Sequence, residues 1–169
     1  MPGTYEPIST TTLTNNYQGI IFNNIPQTYT DLVMVFKGNI TQDSWDMSMR
    51  FNNSSSGYSN IGFASQNTVI DSAKNNSFSA INIGQVSGWR NSGQYNIGYV
   101  HIYQYTNTNV NKVVSTTHTS PEYANGSTLG TWANTAAISS IYLYSRGPNS
   151  NLFDLQAGSQ ITLYGIKAA

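Results

Sequence analysis

Cysteine is absent from this chain, and charge is scarce. Seven Lys or Arg and seven Asp or Glu make up 8% of the 169 residues, against about 25% in an average domain. The missing cysteines exclude a disulfide framework, a thiolate metal site and a thiol nucleophile. The formal net charge is zero. The cations Lys37, Arg50, Lys74, Arg90, Lys112, Arg146 and Lys167 are scattered singly, so the basic stripe that a nucleic-acid partner requires is missing. No run approaches the roughly 20 apolar residues of a membrane span, and no membrane insertion is expected. Residues 1–6 lack the basic and apolar regions of a secretory signal. The chain starts on its own methionine and is expected to be complete, made in a cytoplasm and released by another route.

Catalytic signatures are equally sparse. The two histidines, His101 and His118, fall in separate predicted strands and in no metal-binding spacing. There is no nucleophile elbow and no phosphate-binding glycine loop. The acids Asp43 and Asp46 stand three apart before a strand, where they can hold a calcium ion with backbone carbonyls or simply cap and solvate a loop. The second role is the expected one. No cofactor, metal or enzymatic activity is expected.

What is present is tyrosine, at 12 residues, and asparagine, at 21. Apolar residues recur with period two, not with the helical stripe. Asp46-Met47-Ser48-Met49-Arg50-Phe51-Asn52 places Met47, Met49 and Phe51 on one face, the pattern of a half-buried strand. Leu32-Val33-Met34-Val35-Phe36 reads as a central strand covered on both sides. Strands are predicted over 4–13, 17–23, 30–37, 46–52, 58–65, 79–84, 95–105, 110–118, 127–132, 136–145 and 159–167. Asn, Ser and Gly clusters are read as turns between them, including Lys74-Asn75-Asn76-Ser77 and Asn125-Gly126-Ser127. The expected fold is all-β: an antiparallel sandwich or jelly roll of about ten strands. Residues 1–13 are expected to form a docking arm and first strand, and 14–169 a single sandwich domain. Pro2, Tyr5 and Pro7 are the arm residues, since proline limits ladder pairing.

Several segments, in order, carry a family resemblance. They are Gly3-Thr4-Tyr5-Glu6-Pro7-Ile8-Ser9, Ile21-Phe22, Tyr29-Thr30-Asp31-Leu32, Met49-Arg50-Phe51-Asn52, Thr106-Asn107-Thr108-Asn109-Val110-Asn111-Lys112, Trp132-Ala133-Asn134-Thr135 and Leu163-Tyr164-Gly165-Ile166-Lys167. Together they resemble a family of small virion proteins and fibre-tip domains of tailed bacteriophages. The resemblance spans nearly the whole chain. It implies a β-sandwich on the particle exterior, often trimeric, with capsid or tail proteins as partners and no catalytic chemistry. No fibre shaft is expected ahead of the domain, which favours a decoration protein or a separately docked tip, made in the host bacterial cytoplasm.

Two sets of aromatic residues are candidates for contact. Trp45, Tyr58, Trp89, Arg90 and Tyr123 stand in or beside predicted loops. Exposed rings there would stack on sugar C–H faces and mark a receptor-binding module for host-surface glycan; the alternative is packing on loop bases or a neighbouring subunit. Tyr95, Tyr99, Tyr103 and Tyr105 are expected on one face of the 95–105 strand, and Tyr142 and Tyr144 on one face of another. Aromatic residues are enriched at interface centres and charges depleted there. These tyrosines therefore mark either a subunit interface, in a homo-oligomer expected to be a trimer, or an interior sandwich face.

Overall fold

The computed structural model describes residues 4–41, 46–66, 69–83, 95–120, 124–146 and 152–167. They form 13 strands: β1 (Tyr5–Thr12), β2 (Gly19–Phe22), β3 (Asp31–Gly38), β4 (Asp46–Phe51), β5 (Tyr58–Gln66), β6 (Val69–Phe78), β7 (Ile81–Asn82), β8 (Asn96–Tyr103), β9 (Lys112–Ser120), β10 (Ala124–Trp132), β11 (Ile141–Arg146), β12 (Leu152–Phe153) and β13 (Gln160–Ile166). No helix occurs among the described residues. One sheet has eight strands in the order β1-β13-β3-β8-β9-β10-β5-β6. The other has five, β12-β11-β4-β7 with β2 also on β11. Every pairing is antiparallel. The fold is an antiparallel β-sandwich.

The core follows the period-two pattern. Leu32, Met34 and Phe36 of β3, Val100 and Ile102 of β8, and Ile161 and Leu163 of β13 point inward from the large sheet. Met47, Met49 and Phe51 of β4, with Ile141 and Leu143 of β11, meet them from the small one. Trp132 stacks on Tyr58 with ring centroids 5.9 Å apart and packs against Phe51 at 5.7 Å. Tyr58 finds its hydrogen bonds within the chain: its hydroxyl accepts from the Phe51 N–H at 2.8 Å.

Two predicted turns are strands. Lys74-Asn75-Asn76-Ser77 lies in β6, paired with β5 through Ile61↔Lys74 and Ser59↔Asn76. Asn125-Gly126-Ser127 lies in β10, laddered to β5 on one side and β9 on the other. Propensity disfavours Asn and Gly in strands, but non-local pairing overrides it. At Gly126 the reason is steric: a Cβ there would meet His118 Cε1 at 2.7 Å and the Phe63 carbonyl oxygen at 2.6 Å. Gly98 does the same for Phe36, whose ring would stand 1.9 Å from an added Cβ. Glycine thus leaves room for a large side chain on the next strand.

The expected docking arm is mostly sheet. β1 pairs with β13 from Tyr5↔Ile166 to Thr12↔Gln160, with one irregularity between Pro7 and Ser9. An edge strand ladders on one side only, which is where proline is tolerated. Tyr5 and Pro7 therefore ladder in the first strand, and proline does not keep this segment out of regular pairing. Pro2 lies outside the described residues.

Candidate interaction face

β9, β10 and β5 carry their side chains in an unusual sense. In β5, Asn60, Gly62 and Ala64 point inward, whereas Ile61 and Phe63 are exposed. In β10, Thr128 is buried and Leu129 is 57% exposed. In β9, Val113 is exposed while Thr116, His118 and Ser120 are buried. The register forces this, because a strand paired at a fixed offset turns alternate residues to fixed faces. Hydrophobicity alone would have turned these strands over.

The outcome is an apolar, nearly uncharged outer face on the eight-stranded sheet. Register rows run across it. One reads Thr10–Thr162–Val35–Tyr99–Thr117–Ser127–Phe63 and the next Tyr164–Val33–His101–Ser115–Leu129–Ile61. Val35, Ile61, Phe63, Ile97, Val113 and Leu129 are all exposed on it. A depression of about 290 Å³ lies between Val35, Ile97, Tyr99, Thr117 and Thr119. Small hydroxylated residues fill the rest, and pairs of them bond across strands: Thr10 with Thr162 at 3.0 Å, Ser59 with Thr131 at 2.7 Å.

An aromatic cluster occupies one end. His101 and Tyr103 stack with centroids 4.1 Å apart, Tyr99 meets His101 edge-on at 6.5 Å, and Tyr5 meets Tyr164 edge-on at 6.2 Å. The hydroxyls of Tyr5 and Tyr99 are 3.5 Å apart. Val33, flanked in register by Tyr164 and His101, is fully buried on this side of the sheet. The expected central strand β3 is therefore covered on both sides at Val33 but exposed at Val35. Burial pushes the Tyr99 phenol up to about 12, with the Tyr5 hydroxyl adding to the effect.

Charge on this face is held in place. Asp31 Oδ2 bonds His101 Nε2 at 2.9 Å, and Asp31 Oδ1 accepts the Gln104 N–H at 2.7 Å. The Lys37 ammonium lies 4.1 Å from the centre of the Tyr95 ring. The Asp31–His101 pair orients the imidazole under Tyr103. Ser115, opposite His101 in register, is bonded at 2.9 Å to the Tyr103 hydroxyl instead. The arrangement builds a fixed surface of rings, and the described residues place no activated nucleophile beside the imidazole.

No family model, no curated protein and no solved structure matches this chain.

The predicted interface tyrosines separate. Tyr95, Tyr99 and Tyr103 share the outer face, which places them on the surface and not inside the sandwich. Tyr105 does not join them. It lies beyond the end of β8, fully buried, with its hydroxyl donating to the Pro26 carbonyl. The chain turns at Gln104, whose φ is +45°, so strand alternation no longer applies at 105. Tyr142 and Tyr144 stack on each other at 4.8 Å on the outside of the small sheet. Tyr144 is 2% exposed and has the Arg50 guanidinium 5.1 Å from its ring centre, so it offers no free surface.

Of the glycan candidates, Tyr58 is a core residue at 1% exposure and offers no ring to a sugar. The sequence reads it as beginning a strand after a Ser-rich loop. Tertiary contact with Trp132 and Phe51 draws it inward. Trp45, Trp89, Arg90 and Tyr123 lie outside the described residues, as do Asp43 and the side chain of Asp46. Sequence reading missed Phe63, Ile61 and Leu129 as surface residues. The available signal was the polar set Asn60, Thr116, His118 and Thr128 alternating with them.

Proposed function

We propose that this protein is a non-enzymatic structural component of a tailed-phage virion. It self-associates through the outer face of its eight-stranded sheet and docks on the particle exterior as a decoration or fibre-tip protein. The observation that carries the self-association is the apolar outer face, with Leu129 57%, Ile97 49% and Phe63 48% exposed. Monomeric proteins rarely leave so large an apolar patch in water. With strands about 4.8 Å apart and a rise of about 3.4 Å per residue, the register rows from β1 to β5, seven strands wide and about six residues deep, span about 700 Å² of mixed apolar and hydroxylated surface. That is close to the roughly 800 Å² per partner of a stable interface. The occupant is a second copy of this chain, because the face is nearly neutral and offers another copy area and fit with little charge to desolvate. The virion setting rests on the resemblance described above, which also makes a trimer the expected stoichiometry. Many copies on a particle raise effective concentration, so single contacts need only modest affinity.

Sedimentation tests the association. At micromolar concentration the protein should run heavier than its 18.5 kDa monomer. The double variant Phe63→Asp, Leu129→Lys should dissociate at least about tenfold more readily, since two charges would have to be desolvated at the interface centre. Its circular dichroism spectrum should match that of the wild type, because both side chains face solvent in the single chain, and its melting temperature should lose the concentration dependence that association gives the wild type. A wild type that stays monomeric both free and bound on particles would sink the reading. Electron microscopy of intact particles tests the virion setting: density for this sandwich on the exterior is expected.

A further inference from the structure

The inner face of β9 and β10 is polar where a sandwich interior is normally apolar. Thr116, His118 and Ser120 point inward from β9 and Thr128 from β10, and all four are buried. They are contiguous: Thr116 is the register partner of Thr128, and His118 that of Gly126. Thr116 Oγ1, Thr128 Oγ1, Ser120 Oγ and both ring nitrogens of His118 have no hydrogen-bond partner among the described residues. Native proteins rarely leave several adjacent buried groups unpaired, and each such group calls for an explanation. The opposed pairs on the outer face show what proximity alone produces. Thr10–Thr162 and Ser59–Thr131 bond directly, at 3.0 and 2.7 Å. Thr116 and Thr128 are opposed in the same way but do not bond each other.

The groups define what would satisfy them. A neutral imidazole presents one donor and one acceptor, and each hydroxyl can act as either. Burial pushes the His118 pKa down to about 4, so the ring is neutral near pH 7 and offers no charge to an anion. One histidine among hydroxyls is a poor cation cage. A molecule that both donates and accepts, is neutral, and is small enough to sit against the inner face of these two strands fits all of them. We propose that ordered water occupies a buried seam along the inner face of β9 and β10, bridging the Thr116 and Thr128 hydroxyls, the His118 imidazole and the Ser120 hydroxyl. Buried waters of this kind typically make about three hydrogen bonds.

Isosteric substitution reads the seam through the sign of the effect. Thr116→Val and Thr128→Val keep the side-chain shape and remove the hydroxyl. If water bridges the hydroxyls, each variant removes an anchor, and the melting temperature should fall by about 2–4 °C. If the hydroxyls are dry and unpaired, each variant removes a buried polar group and the melting temperature should rise. A second measurement on the wild type needs no variant to fold: water–protein nuclear Overhauser effects to the His118 ring and the Thr116 methyl should show long-lived water. A rise in melting temperature, the absence of long-lived water, or an organic molecule retained by the chain in native mass spectrometry would each overturn the proposal.

Discussion

Lys112→Met is expected to cost about 3 kcal/mol of stability, the scale of breaking a buried charged hydrogen-bonding group. Lys112 is fully buried at the start of β9. Its ammonium has three N–H donors, and they go to the carbonyls of Asn107, Val110 and Thr135. One side chain thereby ties the turn between β8 and β9 to the segment that follows β10. Burial pulls the lysine pKa below its usual value, and the three carbonyls hold the charge in place. Methionine replaces most of the stem volume but donates nothing, so all three carbonyls lose their partner. At about 2–4 °C per kcal/mol for a chain of this size, the melting temperature should drop by about 6–12 °C. A drop below about 2 °C by differential scanning calorimetry would show that these carbonyls find water and that the ammonium is no anchor.

Acid should destabilise the fold through His118. Its pKa is about 4 in the folded chain against the usual 6.5, because burial disfavours the charged ring. Between those values the unfolded chain binds the proton more readily, so stability rises with pH. The contribution is fully present above pH 6.5, is lost as pH falls, and levels off below about 4. At about 1.4 kcal/mol per pKa unit, the loss is about 3 kcal/mol. Urea unfolding measured from pH 8 to pH 4 should show it, and His118→Leu should flatten the curve across that window. Leucine also removes the ring from the proposed water seam, so absolute stability will shift, but the slope with pH isolates the titration. An unchanged slope in the variant would mean that His118 is not the group responsible. The exposed pair Lys167–Glu6, at 3.0 Å, holds the Glu6 carboxyl below its usual range. Its loss on acidification belongs to lower pH.

Much of the fold was legible in the chain. The predicted strands at 4–13, 30–37, 46–52 and 159–167 are β1, β3, β4 and β13 within a residue or two, because their period-two alternation agrees with the face they bury. β6 was illegible: its Asn-rich sequence reads as a turn, and only pairing with β5 makes it a strand. The candidate face was half legible. Tyr95, Tyr99 and Tyr103 were named, but Tyr105 was assigned to the same row and turned inward past the end of β8. Tyr58, a candidate contact at the start of its predicted strand, closes the core. In each case a local pattern was extrapolated past the point where tertiary contact took over.

The class of structure follows from local properties of the chain. Alternation, β-branched and aromatic residues, and the absence of cysteine and helical stripes admit an all-β sandwich without disulfides. Only the tertiary structure decided which way each strand faces. Ile61, Phe63 and Leu129 look like core residues in any window of sequence. They stand outside because β5 and β10 are locked in register with β9, and a slip of one residue between β9 and β10 would turn them inward and turn Thr128, Asn60 and Ala64 out. The central strands β3 and β8 bury Leu32, Met34, Phe36, Val100 and Ile102 on their inner face, closed over by the small sheet. The sheet's orientation is therefore set at β3 and transmitted outward through the ladder. The apolar outer face and the polar inner seam are two sides of that one choice.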